Sequence, residues 1–146
     1  MSKLEAIAVL CARECLKQQV GIHRLGLLLE AYAYGQDRRG DLPTVDDAIT
    51  LARMIEPVNR GIFRRTPVTF ADGGSAVHAS AIPGAIERLF ANIEGADPWA
   101  WVRAFLDIHP FTDGNGRTAF VLYNWLRGSF DDPVELPDFN AEAAPR

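Results

Sequence analysis

The chain has little of what would mark a secreted, membrane or nucleic-acid-binding protein. It holds two cysteines in 146 residues, too few for a disulfide scaffold. Cys11 and Cys15 stand one helical turn apart in an apolar pattern, with no nearby histidine at ligand spacing. They read as small core residues in a reducing compartment rather than as zinc ligands. No apolar run reaches membrane-spanning length, and the first residues lack the basic-then-apolar layout of a signal peptide. A cytoplasmic location is expected, in the producing cell or, for an effector or phage protein, in a host, with no membrane partner. A basic excess is missing too. The formal charge is −4, and residues 131–146 account for it, with five acids (Asp131, Asp132, Glu135, Asp138, Glu142) against Arg146. The balanced body gives no reason to expect nucleic acid as a partner.

Linkers, composition shifts and internal repeats are also absent. Residues 1–130 therefore read as one domain, long enough to bury a core, and 131–146 as an acidic, irregular tail. The class is mainly α. Ser2 and Glu5 form a capping box for a helix through Leu4, Ile7, Ala8, Cys11 and Cys15, running to about Val20. A second helical run carries Ile22, Leu25, Leu28, Leu29 and Tyr32. Thr44 with Asp47 starts a third, which Pro57 ends. Pro83 opens a fourth and Asp97-Pro98 a fifth, the latter with Trp101, Val102, Phe105 and Ile108. Ala119, Leu122, Tyr123 and Leu126 mark a sixth. Between the third and fourth, Phe63, Val68, Phe70 and Val77 are strand-like around the turn signal Ala71–Ser75. A short β-hairpin is expected there, resting on the helical body. Arg60, Arg64 and Arg65 at its entrance read first as a solvated charged face, with contact to phosphate or an acidic partner as the second reading. His23 and His78 read as surface or boundary residues.

What the chain does have is the loop between the fifth and sixth helices, His109-Pro-Phe-Thr-Asp-Gly-Asn-Gly-Arg117. Two glycines opening a helix present several backbone N–H groups to one point, an arrangement that binds phosphate. Asp113 offers hard oxygens to a divalent cation. His109 has the side chain suited to proton transfer near neutrality. Base, metal ligand and phosphate cradle in one loop point to chemistry on a nucleotide.

This stretch resembles the core motif of the Fic family, H-x-F-x-[DE]-G-N-G-R-x-x-R, without a gap from His109 to Arg117. The resemblance takes in roughly residues 40–130 and implies a Fic-type helical bundle with a short β-hairpin flap. It implies a protein adenylyltransferase-like enzyme that transfers AMP, or another nucleotide monophosphate, from a Mg²⁺-bound nucleotide such as ATP. The acceptor would be a Ser, Thr or Tyr hydroxyl of a target protein. By the same resemblance His109 takes the hydroxyl proton and Asp113 holds Mg²⁺. Gly114, Asn115, Gly116 and Arg117 hold the phosphates, and Phe111 anchors the loop. The flap, with Val68, Thr69, Phe70, Val77 and His78, docks the target segment by strand-like pairing.

One position departs from the motif. The second arginine falls at position 120, where this chain has Phe120. The family's inhibitory pattern, [ST]-x-x-x-E-[GN], is absent as well: only Glu94 is followed by Gly or Asn, and four residues before it stands Phe90. Two further readings follow from the resemblance. One is a kinase of the Doc toxin type, although such relatives place Lys where Gly116 stands here. The other is a degenerate domain that binds a nucleotide or partner without turnover. A separate antitoxin-like inhibitor would fit a toxin–antitoxin setting.

Overall fold

The computed structural model describes residues 2–60 and 62–138. Six α-helices form it: α1 (Lys3–Lys17), α2 (Leu25–Asp37), α3 (Val45–Ile55), α4 (Ile82–Ala91), α5 (Pro98–Ile108) and α6 (Asn115–Arg127). Their starts follow the chemistry of the sequence. Ser2 Oγ accepts from Glu5 N at 3.1 Å, and Thr44 Oγ1 accepts from Asp47 N at 3.1 Å, each with the reciprocal bond of a capping box. Asp97 caps α5 by accepting from Ala100 N at 2.9 Å. α1 ends at Lys17, earlier than Val20, because Gln19 turns into the left-handed region (φ 57°).

Helix α6 is the centre. From Arg117 to Trp125 every residue is buried, so all its faces are covered, by α1, α2, α3 and α5. Phe120, Val121 and Leu122 pack there with Tyr32, Leu51, Phe105 and Phe130. Cys11 and Cys15 are buried free thiols in the same core, and burial pushes the Cys11 thiol up to about 12. A helix fixed on all sides is a rigid mount for the loop at its N-terminal end.

The expected β-hairpin is reduced to one antiparallel bridge, Thr69 with Ser75, and no strand forms among the described residues. The segment still folds back on itself, through Phe70 N to Gly74 O at 2.7 Å and Ala76 N to Val68 O at 3.0 Å. Two local causes stop the ladder there. Pro67 has no N–H to give, and the carbonyls of Thr66 and Val77 are taken by the Arg64 side chain. Residues 131–138 carry no helix or strand and are tied down. Val134 bonds Asn124 through N–H (2.8 Å) and carbonyl (3.0 Å), and Glu135 pairs with Arg13 at 2.8 Å. The rest of the acidic tail, 139–146, lies outside the described residues.

Candidate active site

The loop 109–114 leaves α5 by a left-handed residue. His109 has φ 51° and ψ 63° and caps the helix, its N–H bonded to Phe105 O at 3.0 Å. Glycine usually takes this position, so a histidine there is held by its surroundings. The ring is half-buried, and Phe70 meets it in a T-shaped contact at 5.7 Å between centroids. Burial holds the imidazole below its ordinary value near 6.5, and the Arg64 charge pushes the same way. At neutral pH the ring is therefore an uncharged acceptor, the state a base requires.

The middle of the loop is fixed by its own side chains. Phe111 is buried against Phe63 (6.0 Å) and Phe105 (6.2 Å). Asn115 turns its amide back into the loop, accepting from Phe111 N (3.0 Å) and donating to Phe111 O (2.9 Å). Asn59, far away in sequence, clamps Asp113 by donating to its carbonyl (2.8 Å) and accepting from its N–H (3.2 Å). Gly114 adopts φ 78°, and a Cβ there would stand 3.2 Å from Ile55 Cγ2; both conformation and space call for glycine.

Asp113 and Arg117 differ sharply in exposure. The Asp113 side chain is 58% exposed, with Oδ1 accepting from Gly114 N at 2.7 Å. Arg117 is 1% exposed beneath the loop, 3.3 Å from Glu56 Oε2 and 3.6 Å from Asp113 Oδ1. Arg24 meets the other Glu56 oxygen at 3.1 Å. Arg117 thus spends its charge on a buried carboxylate, and the side chain of Asn115 on the loop backbone. The donors left for an anion are the first-turn N–H groups of α6, ahead of its first helical bond, Thr118 N to Gly114 O at 2.9 Å. Among the described residues no cluster of three His, Cys, Asp or Glu side chains could hold a metal. Asp113 alone suits the mode in which Mg²⁺ takes one carboxylate, with substrate phosphates and water completing the shell.

A cavity of about 420 Å³ opens on His109 and Gly116, walled by Glu14, Gln18, Trp99 and Leu106. Gln18 lies so close over Gly116 that a Cβ there would meet its amide at 2.4 Å. Glu14 accepts from Gln18 Nε2 at 3.2 Å through one oxygen, its other oxygen has no partner among the described residues, and burial raises its pKa. Val68, Thr69, Val77 and His78 line a separate cavity of about 230 Å³ on the flap. His78 also caps the turn 79–81, accepting from Ser80 N at 3.2 Å. Of the flap residues singled out in the sequence, Phe70 reaches the histidine.

Phe120 is 0% exposed and packs on Tyr32 at 6.0 Å. The place of the motif's second arginine is thus filled by core. Arg64 does not belong to a solvated face: it is 2% exposed and bonded to four carbonyls, while Arg60 and Arg65 are exposed. Arg64, Asn59, Glu56 and Gln18 are the site residues that sequence reading missed. Arg64, Asn59 and Glu56 reach residues 108–117 from 44 or more positions away, and Gln18 covers Gly116, so no local spacing signals these contacts.

The site is thus a histidine and a glycine-opened helix start brought together in one loop of a helical domain. Residues 42–126 match the Fic/DOC family, more than half of the chain, and the protein belongs to that family. It is also similar to the protein adenylyltransferase Fic of Culex quinquefasciatus, at 32% identity over 60% of this chain and 20% of that protein. The chain thus spans about a fifth of that relative's length.

Proposed function

We propose that this protein transfers AMP, or another nucleotide monophosphate, from a Mg²⁺-bound nucleotide to a Ser, Thr or Tyr hydroxyl of a target protein. The observation that carries this reading is the uncharged, half-buried His109 sharing one cavity with Gly116 at the start of α6. His109 takes the proton of the target hydroxyl. The hydroxyl oxygen forms a bond to the α-phosphorus as the α–β bond breaks, and pyrophosphate leaves. The first-turn N–H groups of α6 at Asn115, Gly116 and Arg117 meet the phosphate oxygens. Asp113 is the residue to hold Mg²⁺, which when bound neutralises phosphate charge. Asn115 and Arg117 act through the loop they brace, and Phe111 anchors it. The flap residues Val68, Thr69, Phe70, Val77 and His78 receive the target segment.

Incubation with a lysate, Mg²⁺ and ATP labelled on the α-phosphate tests this, beside His109→Ala. Label on a lysate protein is expected, reduced by about 10²–10⁴-fold in the variant. Transfer of γ-label in place of α-label would make the protein a kinase of the Doc type. The second reading, binding without turnover, is favoured by Phe120, which puts core where the motif has its second cation. Silence with every labelled nucleotide would select it.

A further inference from the structure

One buried side chain joins the flap to the base. Arg64 Nε donates to His109 O at 2.5 Å and Nη2 to Ile108 O at 3.1 Å, both at the end of α5. Nη1 donates to Thr66 O at 2.7 Å and Nη2 to Val77 O at 2.6 Å, on the two arms of the flap. The Arg64 backbone N–H takes a further carbonyl, Pro110 O, at 2.8 Å. Carbonyls 108, 109 and 110 are thus all occupied by one residue. Those of Ile108 and His109 are orphan acceptors at the negative end of α5, where a cation is favoured.

A cation buried among neutral carbonyls is costly, and burial lowers the Arg64 pKa. An apolar side chain would fill the same volume but leave these carbonyls without donors, so the role of Arg64 lies in its hydrogen bonds. What the guanidinium adds is a planar fork of five N–H donors, which fixes the spacing of the acceptors it spans. It therefore sets the left-handed backbone of His109 relative to both arms of the flap. Phe70, carried by that flap, makes a T-shaped contact with the His109 ring.

We propose that Arg64 is a positioning residue that holds the His109 ring and the flap in one register, so that the base and the docked hydroxyl are aligned by a single side chain. This rests on the reading of His109 as the base. Arg64→Lys keeps the charge but offers a compact head that cannot span four carbonyls. The expected variant is folded, with unchanged exchange protection in α2 and α6. Its amides at Phe70 and Ala76 exchange about ten- to a hundredfold faster. Its transfer kcat falls about a hundredfold with the nucleotide KM unchanged. A role confined to stability would loosen helices and flap together and leave kcat of the folded fraction intact, and that result overturns the proposal. So does a variant that matches the wild type in exchange and kcat.

If Arg64→Lys does not fold, the wild-type guanidinium N–H signals decide. Exchange as slow as that of the Phe70 amide supports the register, and exchange at the free rate overturns it. A wild type that transfers no label sinks the functional reading, and the flap exchange then decides the coupling by itself.

Discussion

The loop 109–117, which carries His109, and the flap 63–78, which meets it, are held in opposite ways. The loop is fixed many times over. Phe111 is buried in the core, Asn115 bonds both backbone groups of Phe111, Asn59 bonds both of Asp113, and Gly114 fits a space without room for a Cβ. The flap has one bridge and a few turn bonds; Phe63 and Val77 pack on the core, and Arg64 supplies hydrogen bonds that tie it to the body. On the proposed function, redundancy of this kind suits an element that holds phosphate and base to fractions of an ångström. A sparsely held segment would suit a surface that receives another protein's chain.

The sharpest way to break this comparison is at the helix both regions depend on. Phe120→Arg would restore the motif's second arginine, yet here it puts an unpaired charge into a fully buried position. A loss of about 3–5 kcal/mol is expected in urea unfolding; a variant as stable as the wild type would refute the packing of Phe120 on Tyr32. Within the loop, Asn115→Ala leaves the buried N–H and carbonyl of Phe111 without partners. It should cost about 3 kcal/mol, and a change within experimental error would mean that the loop is not braced from inside.

The histidine gives a pH test. Its folded-state pKa lies below the ordinary value near 6.5, so the neutral base persists into mildly acidic solution. The transfer profile should have its midpoint below 6.5, as the folded ring protonates. Stability follows the same sign: below 6.5 the unfolded chain binds a proton that the folded one resists, so this contribution is full above 6.5 and is lost as pH falls toward the folded value. A transfer profile with its midpoint above 6.5 would contradict a desolvated imidazole. The smallest effect is expected in the flap. Asp72 Oδ1 accepts from Gly74 N at 2.8 Å in an exposed turn, and Asp72→Ala should change the melting free energy by about 0.5 kcal/mol or less. A large loss there would show that the flap is as tightly specified as the loop.

Local chemistry alone made much of this legible. The capping boxes at Ser2 and Thr44, the prolines that open α4 and α5, and the apolar periodicity of each helix act within a turn or two, so the sequence carries them in the clear. The motif loop was legible for the same reason, because His109, Asp113 and the two glycines sit in one short segment. Less legible were the ends of the side chains. Asn115 and Arg117 were expected at the phosphates, and they turn to Phe111 and Glu56. The hairpin was expected from alternation, but its carbonyls were claimed by an arginine that the sequence showed as one of three in a charged cluster.

By itself, then, the sequence determined the six helices, the loop that joins α5 to α6, and the family. Tertiary structure decided which arginine is buried, which amide clamps Asp113, that Gln18 covers Gly116, and that Phe120 is core. The reason is physical: helix periodicity and capping depend on neighbours within four residues, whereas the partners of Asn59 and Arg64 lie 54 and 45 positions away. Such contacts exist only once the chain has closed on itself.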